Sequence, residues 1–174
     1  PVFESVEFFQ KRFLSCRSRL LNRRREEGYI VDGHGDLRLE HIHLTKSRVT
    51  IFDCIEFNHR FRWIDTANDL AFLAMDLDYQ GYRRLAVYFL KRMKEKLGDQ
   101  DLSTLGNFYM SYRAWVRAKV HSIKSEDAEV GRDQRRASRL KAKALYRRSL
   151  RYCLGGLAPL IIIIMGPVGS GKTT

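Results

Sequence analysis

The chain carries His34-Gly35-Asp36-Leu37-Arg38-Leu39-Glu40-His41, a charged segment with a glycine at its second position. Short apolar runs lie on both sides of it, residues 29–31 before it and residues 42–44 after it. Such runs, rich in β-branched residues and bounded by glycine or charge, are typical of short strands. The segment is therefore predicted to be a loop, over residues 32–40, held between two strands.

A second carboxylate follows at a defined place in this pattern. Residues 42–44 and 49–52 are predicted as two strands of a hairpin, and Asp53 ends the second strand. Asp36 and Asp53 are seventeen residues apart and flank the hairpin, so each can point into one cleft from a rigid base. Phosphoryl transfer needs one carboxylate to accept a proton and another to hold Mg²⁺ against the phosphates. The alternative is two turn carboxylates that only cap the backbone.

Most of the remaining chain is predicted to be helical. Apolar residues recur at three- and four-residue steps over residues 3–26, and Arg23, Arg24 and Arg25 suit the dipole at the end of that helix, before a C-cap at Gly28. Further helices are predicted after an N-cap at Asp65 and over residues 82–97, 104–124 and 126–154. The fold class is therefore mainly α with a small β-hairpin, that is, α+β.

The last residues form a complete phosphate-binding motif. Residues 166–173 match G-x-x-x-x-G-K-[ST] and follow residues 160–165, an apolar run that is predicted to be a buried strand. Lys172 would reach the β- and γ-phosphates, and Thr173 would hold Mg²⁺. The predicted nucleotide-binding residues are Gly166, Gly169, Ser170, Gly171, Lys172, Thr173 and Thr174.

We interpret the chain as a fragment that joins the end of one domain to the beginning of another. Residues 1–154 form the first domain, residues 155–159 are a hinge rich in glycine and proline, and residues 160–174 begin a P-loop NTPase domain. The helix that completes such a phosphate site would follow residue 174. Without it the loop lacks the helix dipole and most of the N–H groups that bind phosphate.

Composition narrows the class of protein. The chain has 174 residues, a net charge of +12 and a pI near 9.9, which fits an anionic substrate or an acidic remainder elsewhere. A nucleic-acid partner is disfavoured because no nucleic-acid-binding motif accompanies the charge.

Cys16, Cys54 and Cys153 are too far apart to support a zinc site or a disulfide framework. With no signal peptide and no apolar run of ~20 residues, we expect a cytoplasmic protein without a membrane partner.

Residues 33–44 and 51–73 resemble a known family. His-Gly-Asp-Leu in the first cluster and the strand-end Asp53 in the second are similar to the catalytic segments of aminoglycoside phosphotransferases, which share the protein-kinase fold. The subgroup that fits is a bacterial two-domain type, in which such a domain precedes a P-loop ATPase or kinase domain. The resemblance spans roughly residues 3–174. It implies that residues 1–154 are the C-terminal lobe of a kinase-like domain whose N-terminal lobe is missing.

The resemblance implies a role for each matching residue. Asp36 would be the general base and Asp53 the Mg²⁺ carboxylate. His34 would brace the loop, and Arg38 would neutralise charge on the transferring phosphoryl group. Asp69 would support the backbone of the catalytic loop from below. The implied cofactors are ATP and Mg²⁺, and the implied partners are the nucleotide and a small-molecule hydroxyl acceptor.

One position departs from the family pattern. Five residues after the base, the family has an asparagine that binds a second Mg²⁺ through oxygen, whereas this chain has His41. Imidazole is a poor ligand for this hard cation. Either the second metal ion is lost, or Glu40 or Glu56 replaces the asparagine, or water intervenes. A transition-metal site at His41, His43 and Asp36 is disfavoured because no cysteine or third histidine is near in sequence.

The sequence therefore predicts an enzyme, an ATP-dependent phosphotransferase acting on a small-molecule hydroxyl and fused to a P-loop domain. One alternative is a degenerate kinase-like module that regulates the P-loop domain, and a second is a basic nucleic-acid-binding protein. The basic residues of helix 126–154 face solvent, dock the P-loop domain or bind an anionic substrate. Arg113, Arg117 and Lys119 add cationic positions on the preceding helix. Because no ATP-clamping Gly-rich loop or strand lysine precedes the catalytic segment, we expect the chain by itself to be inactive.

Overall fold

The computed structural model describes residues 2–156. Over this range the helices are α1 (Val2–Cys16), α2 (Ser18–Glu26), α3 (Thr66–Tyr79), α4 (Arg83–Leu97), α5 (Leu102–Glu126) and α6 (Arg132–Gly156). The strands are β1 (Ile30–Asp32), β2 (Ile42–Leu44), β3 (Val49–Ile51) and β4 (Trp63–Asp65), and short 3-10 turns cover Leu39–His41 and His59–Phe61. The strands pair as two antiparallel ribbons, β1 with β4 and β2 with β3. This confirms the mainly helical α+β class.

Helix α3 lies at the centre of the core. Asp65 caps its N-terminus by accepting a hydrogen bond from the Ala67 N–H at 2.8 Å, as the sequence predicts. Phe72 and Met75 are almost completely buried, and α3 packs against both α4 and α5. Because neighbours cover it on more than one side, α3 is apolar around most of its circumference. Its polar positions are therefore exceptions, and one of them supports the candidate site.

Helices α5 and α6 form a long antiparallel hairpin. Small side chains line their contact, and Ala114, Ala118 and Ser149 are completely buried there. The Ser111 hydroxyl oxygen lies 3.1 Å from that of Ser149 and 3.1 Å from the sulfur of Cys153. Small residues allow the two helix axes to approach closely. The two helices thus form a closely packed hairpin along one side of the molecule.

A buried ion-pair network joins α2 to β4 and to the turn before α5. The guanidinium of Arg24 donates two hydrogen bonds of 2.7 Å to Asp65 and two of 2.7 and 2.8 Å to Asp99. Asp65 also accepts a hydrogen bond from the Tyr109 hydroxyl at 3.3 Å. Bidentate arginine–carboxylate pairs are strong and directional. Arg24 lies in the last turn of α2, as predicted, but its side chain points into the core, which the sequence pattern does not show.

Several predicted boundaries are wrong. Residues 3–26 form two helices, because the backbone of Arg17 leaves the helical region (φ −115°, ψ 17°). The basic helix begins at Arg132 rather than near residue 126, since α5 continues to residue 126 and Asp127 is extended. Strand β4, the partner of β1, was not predicted at all, so the fold has a second small sheet beside the hairpin.

The predicted hinge and P-loop fall mostly outside the described residues. Gly155 and Gly156, predicted to begin the hinge, are the last residues of α6. Residues 157–159 of the hinge, the predicted strand 160–165 and the phosphate-binding loop 166–174 lie beyond the described range. No helix within residues 2–156 is both long and apolar enough to cross a bilayer.

Candidate active site

The loop that follows β1 depends on a glycine. Gly35 has φ +81°, a conformation that side chains rarely adopt, and a Cβ atom there would lie 2.8 Å from the Cδ1 atom of Ile55. Glycine adopts this conformation without steric cost. Gly35 therefore allows the chain to turn closely past Ile55 and brings Asp36 to the mouth of a cleft.

Asp69 of α3 holds this loop from below. Its carboxylate accepts hydrogen bonds from the backbone N–H of His34 at 2.7 Å and of Gly35 at 3.0 Å. Burial raises the pKa of Asp69, and the hydrogen bonds from His34 and the charge of Arg113 oppose that rise. The contacts are those that a supporting role requires, and they fix the loop to the most buried helix of the fold.

His34 connects the same loop to the end of the β2–β3 hairpin. Its Nε2 atom lies 2.8 Å from the Phe52 carbonyl oxygen, and its Nδ1 atom lies 3.3 Å from the Asp36 nitrogen. One neutral tautomer satisfies both contacts, with Nε2–H donating to the carbonyl and Nδ1 accepting from the Asp36 N–H. His34 thereby sets the distance between the two segments that carry Asp36 and Asp53.

Asp36 is paired with Arg38. One carboxylate oxygen of Asp36 accepts hydrogen bonds from Arg38 Nε at 3.0 Å and Nη2 at 2.7 Å, and Arg38 is almost completely buried. Burial by itself raises the pKa of Asp36, but the hydrogen bonds and charge of Arg38 outweigh burial and hold that pKa below its ordinary value. Asp36 is therefore an ionised and well-oriented carboxylate, and a weak base.

Asp53 stands beside His41, the residue that departs from the family pattern. His41 Nδ1 donates to the Asp36 carbonyl oxygen at 2.9 Å, and His41 Nε2 lies 3.2 Å from Oδ2 of Asp53. Asp53 has φ +60°, which is uncommon for a residue other than glycine, while its side chain is 71% exposed. Strained, exposed polar residues concentrate at functional sites. The structure thus brings Asp36, His41 and Asp53 together.

The two glutamates considered as replacement ligands lie in different surroundings. Glu40 forms an ion pair with Arg38, and its carboxylate lies 3.6 Å from His41 Nε2. Glu56 is exposed and lines the same cleft as Asp53. Within residues 2–156, no group of three or more His, Cys, Asp or Glu side chains is arranged to hold a metal ion. Among the described residues, these carboxylates therefore do not form a complete set of metal ligands by themselves.

The cleft itself is open and has a volume of about 860 Å³. Its lining includes Asp36, Asp53, Glu56, Phe72, Arg113 and Arg117. Arg113 and Arg117 come from α5, and their charge in the sequence does not by itself place them in the site. Their four-residue spacing puts them on one helix face and was the available signal. Only the folded structure shows that this face of α5 lies toward the cleft that contains Asp36.

The pairing of Asp36 with Arg38 leads to a testable prediction. Replacing Arg38 by methionine is expected to raise the pKa of Asp36, because removing the cation leaves burial to favour the neutral acid. Carboxyl ¹³C NMR titration of Asp36 measures the change directly. Replacement of the exposed Arg60 by methionine is the control and should leave the Asp36 titration where it is. An identical Asp36 titration in the Arg38 variant and the parent would contradict the assignment.

Comparison with known proteins gives relatives without an assigned activity. No protein-family model and no solved structure matches the chain. Uncharacterized proteins of Mycobacterium tuberculosis and Mycobacterium bovis are 35% identical to it over 173 residues, which is 99% of this chain. The chain spans about a third (33%) of the length of these curated relatives.

Proposed function

We propose that residues 2–156 carry the catalytic loop of an ATP-dependent phosphotransferase that acts on a hydroxyl of a small molecule. The observation that carries this proposal is that Asp36 and Asp53 line one open cleft. Asp36 lies on a loop that is fixed to α3 through Asp69, and His34 of that loop contacts the Phe52 carbonyl oxygen next to Asp53. The kinase-like aminoglycoside phosphotransferases that residues 33–44 and 51–73 resemble use two carboxylates in this way.

In this proposal Asp36 orients the attacking hydroxyl and receives its proton. A largely dissociative transition state requires little proton transfer before the phosphoryl group moves, so a weak base suffices when it is well placed. In this proposal, the role of Arg38 differs from the role that the resemblance implies for it. Its guanidinium is already engaged by Asp36 and Glu40, so Arg38 positions Asp36 rather than reaching the phosphates by itself.

Asp53 is the residue proposed to hold Mg²⁺. Proteins commonly bind Mg²⁺ through one or two carboxylates together with substrate phosphates, and the exposed Asp53 carboxylate with Glu56 nearby fits that pattern. The metal ion would offset the negative charge of the phosphates. Asp36 and Arg38 then act on the acceptor side, where they keep the hydroxyl in line with the phosphorus atom.

The test is Mg²⁺–ATP turnover by the full-length protein with Lys172 replaced by alanine, so that the predicted P-loop does not contribute. We expect turnover that falls at least about 100-fold when Asp53 is replaced by alanine, since charge stabilisation of the transferring group is then lost. Asp133→Ala is the matched control, because Asp133 is exposed in the first turn of α6. Turnover that survives in the Asp53 variant would contradict the proposal.

A degenerate regulatory module is the second candidate, and the position of His41 favours it. His41 Nε2 lies 3.2 Å from the Asp53 carboxylate, where the family pattern supplies an amide oxygen. A nitrogen donor there weakens binding of a hard cation. In this case the parent shows no turnover, and His41→Asn restores it by returning an oxygen donor. Equal turnover in the His41 variant and an active parent would exclude this second candidate.

We also propose that residues 160–174 begin a P-loop NTPase domain and that the basic face of α6 docks it. Most of the basic residues of α6 are exposed. Arg135 and Arg148 are half-buried, and Arg148 pairs with Asp78 at 2.6 Å.

A further inference from the structure

Two arginines of α5 give the cleft a cationic wall. Arg113 and Arg117 are one helical turn apart, and both line the cleft that contains Asp36. Arg113 is buried and Arg117 is half-buried. The Arg113 guanidinium is fixed in place, since its Nε donates to Asn68 Oδ1 at 2.6 Å and it stacks over the Phe72 ring at 4.5 Å.

Neither arginine has an ion-pair partner among residues 2–156, which sets them apart from other shielded arginines of the fold. Arg24 pairs with Asp65 and Asp99, Arg38 with Asp36 and Glu40, and Arg148 with Asp78. Shielded charges are normally paired, because removing a cation from water is costly. Burial lowers the pKa of both Arg113 and Arg117, which agrees with cations that lack a partner. Two guanidinium groups without an ion-pair partner among the described residues therefore line the cleft beside the carboxylates of Asp36, Asp53 and Glu56, and either group can pair with an anion.

The acceptor is the species that most needs these cations. In the proposed function, the nucleotide phosphates receive positive charge from Mg²⁺ at Asp53, whereas an anionic acceptor brings no cation. The negative charge of Asp36 repels an anionic acceptor, and the ion pair with Arg38 offsets only part of this repulsion. Arg117 lines the same cleft as Asp36, and its charge helps to lower the pKa of that carboxyl.

We propose that the cleft takes an acceptor that carries an oxyanion, a phosphate or a carboxylate, besides its reactive hydroxyl, and that Arg117 binds this oxyanion with Arg113 beside it. This inference rests on the proposed function and specifies its substrate class. The planar guanidinium matches both anions through paired N–H groups.

Ligand-observed NMR on the full-length protein tests the proposal, with inorganic phosphate followed by ³¹P line broadening and acetate by saturation transfer. Lys172→Ala is the background throughout, since the predicted P-loop would itself bind phosphate. We expect saturable binding that weakens at least about tenfold in Arg117→Gln, because the guanidinium supplies both charge and paired donors. The anion with the lower Kd identifies the source of the oxyanion.

Three comparisons make the result decisive. Arg84→Gln, the same charge change on the exposed first turn of α4, should leave anion binding unchanged. Arg117→Lys, which keeps the charge but loses the planar fork, should weaken binding less than Arg117→Gln and guards against a folding defect. Asp36→Asn should keep or tighten anion binding even though it slows transfer. Failure of the proposed function therefore appears as absent turnover with anion binding intact.

Two results would overturn the inference. Equal anion binding in Arg117→Gln and its parent would place the anion elsewhere. A tenfold loss of Mg²⁺–ATP binding in Arg117→Gln, measured by calorimetry, would assign the guanidinium to the nucleotide instead of the acceptor.

Discussion

Replacing Arg24 by leucine is expected to lower the free energy of unfolding by about 3–5 kcal/mol, because breaking a buried ion pair leaves uncompensated charge in the core. Asp65 and Asp99 are 4% and 1% exposed, and each receives two hydrogen bonds from Arg24. Without the guanidinium, two carboxylates would remain buried side by side. Denaturant unfolding followed by circular dichroism measures the loss.

The neighbouring arginine provides a matched control for this change. Arg25 is exposed on the same turn of α2, so Arg25→Leu should alter the free energy of unfolding by no more than about 0.5 kcal/mol. A loss of less than about 1 kcal/mol in the Arg24 variant would mean that water or rearrangement compensates the two carboxylates. The network would then be a weak contributor to the stability of the fold.

Replacing Asp36 by asparagine is expected to reduce phosphoryl transfer by about 10²- to 10⁴-fold while leaving the fold intact, the range typical of a lost general base. Asparagine keeps the shape of the side chain and can still accept from Arg38 through its amide oxygen. It cannot receive the proton of the attacking hydroxyl. The measurement is kcat/KM of the full-length protein, together with a cooperative melt.

Asp32 serves as the control for the Asp36 variant. It lies at the end of β1, is exposed, and pairs with Arg62 rather than facing the cleft. Asp32→Asn should therefore retain kcat/KM within about threefold, as a surface change away from the site does. Transfer that persists in Asp36→Asn at the parent rate would show that Asp36 is not the base.

Local sequence signals predicted those parts of the fold that local chemistry controls. The β2–β3 hairpin, the Asp65 cap and the glycine ends of helices are of this kind. Gly28 and Gly98 both have positive φ where α2 and α4 end. Strand β4 was missed because its partner β1 is far away in sequence, and the break at Arg17 because neither glycine nor proline marks it.

The candidate site shows the same division between local and long-range information. The spacing of Asp36 and Asp53 was sufficient to place both in one cleft. The cationic wall of α5 was not placed there, because Arg113 and Arg117 lie more than seventy residues from Asp36 in sequence. Their charge was visible in the sequence, but the direction they face depends on how α5 packs against α3.

Asp65 couples the loop that carries Asp36 to the integrity of the core. The Asp65 carboxylate binds Arg24 and caps the N-terminus of α3. One turn later in the same helix, Asp69 accepts hydrogen bonds from the backbone N–H groups of His34 and Gly35. The loop is therefore anchored to the first turn of a buried helix rather than to the surface. Its amide protons would exchange with solvent when that turn opens, on the timescale of cooperative unfolding. Loss of catalysis on heating would then report the melting of the domain itself.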